Sequence, residues 1–156
     1  MTEHYPGSLA STEQLLLLAQ AYHRAAETLL GNRRKGDPIS LAPFRLAAIH
    51  AMELYLNALL RNEGLDHKKV RGLQHDLASR TKLAQEAGLV LRKRTAEHLQ
   101  DLAKNREYLV SRYDPDLTLA TRHVNRLVAT LNELHLKAKE RITKSKPAPA
   151  ANPKVA

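Results

Sequence analysis

The chain has 156 residues, enough for one domain with its own core, and no cysteine, which excludes disulfides, cysteine-based zinc sites and a thiol nucleophile. Lysine and arginine total 25 against 16 acidic residues, a formal net charge of +9. That balance favours phosphate-rich partners over acid-repelled ones, without specifying sequence or strand type, and it is equally compatible with plain solubility.

Apolar residues make up 43% of the chain but aromatics only 4%, and the apolar set is mostly Leu and Ala, both strong helix formers. Long runs of β-branched residues are missing, so the expected fold class is all-α: an antiparallel bundle of about five helices. Residues 1–11 are expected to be a flexible N-terminus, residues 12–143 the bundle, and residues 144–156 a disordered tail, basic and rich in Pro and Ala. The opening residues lack the charged, then apolar, then small-residue order of a signal peptide. No apolar run reaches a membrane span. A cytoplasmic protein without membrane contact is the expectation.

In chain order, Ser11 and Gln14 have capping-box spacing and predict a first helix from there to Gly31. Residues 32–40, with Arg33, Arg34, Lys35, Gly36, Asp37 and Pro38, read as an exposed basic loop. The second helix, Leu41 to Glu63, is apolar around most of its circumference. At 100° per residue, His50, Glu53, Asn57 and Arg61 fall in an arc of about 80° shared only with Leu46. Such a helix belongs in the middle of a bundle, with Ala47, Ala51 and Ala58 as a small-residue side open to close approach. Gly64 ends it. A basic connection, residues 67–72, leads to a third helix from about Leu73 to Ala87, and a fourth is expected over Leu91 to Lys104. Asp114 and Pro115 signal the start of a last helix, whose stripe from Leu117 to Ile142 keeps i, i+3, i+4 spacing.

The run from Leu46 to Arg61, Leu-Ala-Ala-Ile-His-Ala-Met-Glu-Leu-Tyr-Leu-Asn-Ala-Leu-Leu-Arg, is followed by Gly64 and by Gly72-Leu-Gln-His-Asp-Leu ending at Leu77. This pattern resembles the HEPN superfamily, the higher eukaryote and prokaryote nucleotide-binding helical domains. There a glutamate-containing helix precedes a His-Asp-Leu element, and an Arg-Tyr, here Arg112 and Tyr113, comes before the last helix. Asn57 departs from the pattern, where many relatives carry lysine. The resemblance spans about residues 12–143. It implies a helical bundle, often dimeric, with members acting as metal-independent ribonucleases in toxin–antitoxin, phage-defence or RNA-processing systems. It also suggests a homodimer and a nucleotidyltransferase-like partner protein.

Catalysis in that family depends on an arginine followed four to six residues later by a histidine, because a histidine moves protons at neutral pH and an arginine stabilises charge on a phosphorane. Three pairs fit the spacing: Arg45 with His50, Arg61 with His67, and Arg92 with His98. Three is no more than this content of arginine and histidine supplies by chance. Near the last helix, where the family carries its motif, no arginine has a histidine at the right offset. The expectation is therefore a binding module for RNA or nucleotide phosphates without an intact nuclease motif. The alternatives are an active metal-independent ribonuclease and a protein-interaction bundle with no nucleic-acid ligand.

Arg71, His75 and Asp76 form the leading polar constellation, beside a basic loop at a helix start. Asp76 and His75 also fit purely structural roles, at the helix dipole and against a neighbouring helix. Lys68, Lys69, Arg71, Arg106, Arg112 and Tyr113 are the candidate nucleic-acid contacts, with electrostatics dominating where aromatics are few. The stripe of His50, Glu53, Asn57 and Arg61 either lines a cleft, faces a partner, or is the solvated edge of its helix. His50 and Glu53 alone make a poor metal site, so no metal and no cofactor is expected.

Overall fold

The computed structural model describes residues 3–120 and 123–145, and among these there are helices and turns but no strand. The helices are α1 (Thr12–Gly31), α2 (Ala42–Asn62), α3 (His67–Gly72), α4 (Leu77–Glu86), α5 (Lys93–Lys104), α6 (Glu107–Tyr113), α7 (Pro115–Ala120) and α8 (Val124–Lys144), with a 3-10 turn at Pro38–Leu41 before α2. No helix among the described residues is long and apolar enough to cross a membrane.

The capping box of α1 is present: Gln14 N–H donates to Ser11 Oγ at 3.1 Å, and Ser11 N–H donates to Gln14 Oε1 at 2.9 Å. This pairing satisfies two backbone donors that a helix start otherwise leaves open. The helix then lies along α2, burying Ala19, His23 and Ala26.

The middle of the molecule is α2, which packs against α1, α3, α4, α6 and α8. From Phe44 to Leu60 every residue is buried except Leu46, His50, Glu53 and Asn57. Ala47, Ala51 and Ala58 are buried within the chain, so the small-residue side is used up by neighbouring helices of the same copy and supplies no surface for a second one. At its end, Gly64 takes φ +90°, with Gly64 N–H donating to Arg61 O and Leu65 N–H to Leu60 O, both at 3.0 Å. This Schellman closure needs a left-handed residue, which glycine adopts without strain, and it turns the chain back towards Arg61.

Four expected boundaries are corrected. The basic stretch after Gly64 is not a loop: Asp66 caps it, accepting from Lys68 N–H at 2.9 Å, and it forms α3. The third helix begins at Leu77 rather than Leu73, because Gln74 is left-handed (φ 50°) and Asp76 is the extended N-cap residue, its carboxylate accepting from Ser79 N–H at 3.1 Å. An unexpected short helix, α6, follows Arg106, whose φ of 49° breaks the chain direction after α5. The last helix is divided into α7 and α8, residues 121–122 between them lying outside the described part. The expected tail also lies outside it from residue 146 onward.

Two arginines are buried to 2% exposure. Arg45 on α2 donates from Nη2 to Glu107 Oε2 of α6 at 2.6 Å, while its Nε and Nη1 have no hydrogen-bond partner among the described residues. Arg80 on α4 belongs to the candidate site. On α8, the buried Glu133 carboxylate accepts from Arg92 N–H at 2.9 Å and from the Thr95 hydroxyl, so α8 caps the start of α5, whose own N-cap residue supplies no side-chain bond.

Candidate functional site

The polar stripe of α2 faces a cavity of about 870 Å³. One wall is His50, Glu53, Asn57 and Arg61 of α2. Facing them are His67, Val70 and Arg71 of α3, Gln74 and His75 of the following turn, and Arg80 of α4. Tyr5 to Ser8 close the side next to Leu15 and Leu18 of α1. The stripe is thus a cleft lining, and Arg71 and His75 line the same cavity.

Arg80 organises this wall. Its Nε donates to Asn57 Oδ1 at 2.7 Å and its Nη2 to Glu53 Oε1 at 3.3 Å, while the carbonyls of Val70, Leu73 and Asp76 accept from its terminal nitrogens at 3.3–3.4 Å. One side chain on α4 thereby ties the end of α3 and the α3–α4 turn to α2. The other Glu53 oxygen accepts from His75 Nδ1 at 3.2 Å, and the His75 ring lies 5.1 Å from that of Tyr108. Because a carboxylate only accepts, His75 must carry its proton on Nδ1. Asn57, its oxygen occupied, has its amide N–H groups left for the cavity.

His50 meets Tyr22 of α1 edge-to-face at 4.5 Å. Burial pushes its pKa below 6.5 against the pull of Glu53, with Arg112 and His75 adding to the depression. It is therefore a neutral imidazole at pH 7, one nitrogen donating and one accepting.

The charge around the cavity is unequal. Glu53 is matched by Arg80. Among the described residues, Arg61 donates only to Leu65 O at 3.2 Å, and Arg71 makes no hydrogen bond or ion pair, its guanidinium lying 4.2 Å over the Tyr5 ring. Asp66 is the nearby counter-charge, but its carboxylate caps α3 and lies 3.2 Å from His67 Nδ1. Its pKa is held down chiefly by the Lys68 N–H bond, then by His67, Lys68 and Arg61 around it. Two guanidiniums therefore remain with donors to spare.

The remaining candidates scatter. Asp76 does not reach the cavity: it caps α4, and its bonds to the Ser79 hydroxyl and N–H keep its carboxyl below the ordinary range, so a catalytic role for it is set aside. Lys68, Lys69, Arg106, Arg112 and Tyr113 are exposed and do not line the cavity. Arg106 borders a separate hollow on the other side of His75, shared with Tyr108. Of the three arginine–histidine pairs, two are separated. Arg45 is buried on Glu107 away from His50, and Arg92 is 79% exposed while His98 is buried against Thr130. Arg61 and His67 line the same cavity.

Sequence reasoning missed Arg80 and Tyr5. For Arg80 a signal existed: Leu77, Thr81 and Ala84 place it on the core-facing side of α4, where an arginine requires a buried acceptor. Tyr5 had none. Among the described residues no group of three or more His, Asp or Glu is placed to hold a metal ion.

Comparison with family models, with curated proteins and with solved structures gave no significant match to this chain. The class that fold and site define is an all-helical protein with a polar, cationic cavity beside its central helix.

Proposed function

We propose that this protein is a HEPN-like helical module that binds RNA or nucleotide phosphates in the cavity along α2. The observation that carries the reading is the pair of guanidiniums, Arg61 and Arg71, which make no ion pair among the described residues, on a wall whose one carboxylate, the half-buried Glu53, is already matched by Arg80 and His75. An anion entering there meets donors and no uncompensated negative charge. The test is fluorescence anisotropy with a labelled single-stranded RNA over a salt series, comparing the wild type with Arg61→Ala/Arg71→Ala. Salt-sensitive binding that the double substitution weakens supports the reading; salt-insensitive RNA binding, or binding of neither RNA nor a mononucleotide, overturns it in favour of a protein-interaction bundle.

A second reading, metal-independent RNA cleavage, is favoured by Arg61 and His67 lining one cavity with His75 across it. Cleavage that persists with chelator and is lost in His67→Ala supports it. A homodimer is also proposed, now on the exposed Leu17, Leu18 and Tyr22 of α1 rather than on the alanines of α2. A monomeric mass in light scattering at micromolar concentration counts against it.

A further inference from the structure

The segment before α1 has a structure of its own and a place in the site. Ser8 N–H donates to Tyr5 O at 2.9 Å and Ala10 N–H to Gly7 O at 3.1 Å, with Gly7 at φ +85° making the turn. Among the described residues no hydrogen bond or ion pair links residues 3–10 to the bundle; the strap is held by Tyr5 against Arg71 and by packing at the cavity edge. Tyr5 is 57% exposed, so its ring is not a core residue.

The geometry of that contact matters. A guanidinium drawn to the face of a ring is held without spending a hydrogen bond, so its N–H donors stay available for the oxygens of a phosphate. Arg71 is thus drawn towards the strap by Tyr5 while making no hydrogen bond or ion pair among the described residues. The strap also forms a wall of the cavity, so a polynucleotide running through would have to lift it, while a ligand ending in the cavity would not.

We propose that residues 5–8 are a specificity strap, with Tyr5 the positioning residue for Arg71, that makes the cavity select a nucleoside phosphomonoester over internal phosphodiesters. The phosphomonoester has two sources, a free mononucleotide or the phosphorylated end of an RNA. Its extra negative charge suits Arg61 and Arg71, two guanidiniums that make no ion pair among the described residues. This proposal rests on the phosphate-binding reading above.

The experiment measures binding of the full chain to AMP, to a short single-stranded RNA with a 5′-phosphate, and to the same RNA with hydroxyl ends. The proteins are wild type, Tyr5→Ala, Tyr5→Phe and Arg71→Ala. The wild type should prefer the phosphorylated end to the hydroxyl end. Tyr5→Ala should weaken phosphate-end binding about two- to fivefold, the scale of an exposed cation–π contact, and shrink the preference; Tyr5→Phe, which keeps the ring face, should restore both. AMP bound as tightly as the phosphorylated RNA identifies the free nucleotide as sufficient, and RNA bound much more tightly identifies the chain end; either supports the strap. Equal binding of the two RNAs, or Tyr5→Ala behaving as wild type while Arg71→Ala loses affinity, overturns the strap and leaves the phosphate reading standing. No binding of any of the three ligands overturns both.

Discussion

Replacing Arg80 by methionine tests the wall of the cavity and the fold at once. The substitution keeps an unbranched side chain of useful length but removes the charge and every donor. Glu53 would then retain only His75, Asn57 Oδ1 would lose its partner, and the carbonyls of Val70, Leu73 and Asp76 would each keep a backbone N–H but lose their second donor. Breaking a buried ion pair by deleting one member costs about 3–5 kcal/mol, because the remaining charge stays out of water. Against a total stability of about 5–15 kcal/mol that is a large share. With a urea m-value of about 2 kcal/mol/M, the unfolding midpoint should fall by about 1.5–2.5 M, read by far-UV circular dichroism at pH 7. Arg80→Lys should fall between the two, since one ammonium cannot reach acceptors on α2, α3 and the turn together. Glu53→Gln in the Arg80→Met background removes the stranded charge and should recover at least about 1 kcal/mol relative to additivity. A midpoint shift within error, or strictly additive effects in the double mutant, would refute the assignment of Arg80 as the group that holds α3 and α4 to α2.

Acid should weaken the protein before its carboxylates titrate. Burial, with Arg126 and others nearby, holds His98 down at about 4. The unfolded chain then takes up a proton that the folded one refuses, and stability present above pH 6.5 is lost as pH falls towards 4, by about 3 kcal/mol in total; His98→Asn, which keeps an atom for Thr130, should flatten that slope in urea titrations between pH 6.5 and 4. Glu133→Ala should cost about 2–4 kcal/mol in the same assay, because it removes the acceptor for Arg92 N–H and for Thr95 at the start of α5. In RNA titrations, Arg61→Ala/Arg71→Ala should reduce the slope of log K against log salt by about 1.4, the value for two phosphate contacts on a single strand; an unchanged slope places the phosphates elsewhere.

The central helix was legible because its composition is nearly self-sufficient. Where only Leu46, His50, Glu53 and Asn57 escape burial over four turns, the sequence pattern already contained the packing arrangement. The short helices were not legible for a matching reason. Six or seven residues, as in α3 and α6, make too few turns to show a stripe, and the breaks that define them fall on Gln74 and Arg106, whose identities do not announce left-handed backbone. In the site, the stripe and the pair Arg71 and His75 were each visible as polar residues in the right places. What brought them to one cavity is Arg80, a tertiary contact that spacing along the chain does not encode. Asp76 shows the converse, since its position before an apolar helix predicts a cap as readily as a catalytic acid, and local geometry decides for the cap.

The buried polar wall has a cost that a purely structural core would avoid. Well-packed apolar residues in place of Glu53 and Arg80 would stabilise the bundle as well or better, since desolvating two charges consumes much of what their attraction returns. Their arrangement has another consequence. With Glu53 matched by Arg80 and His75, the carboxylate on the cavity wall is occupied by groups that belong to the fold, and Arg61 and Arg71 keep their donors. Had Arg80 been apolar, Glu53 would have been the nearest acceptor for the cavity's own cations, and the site would have neutralised itself. The same guanidinium that fastens α3 and α4 to α2 thus separates the structural charges from those left to face an anion.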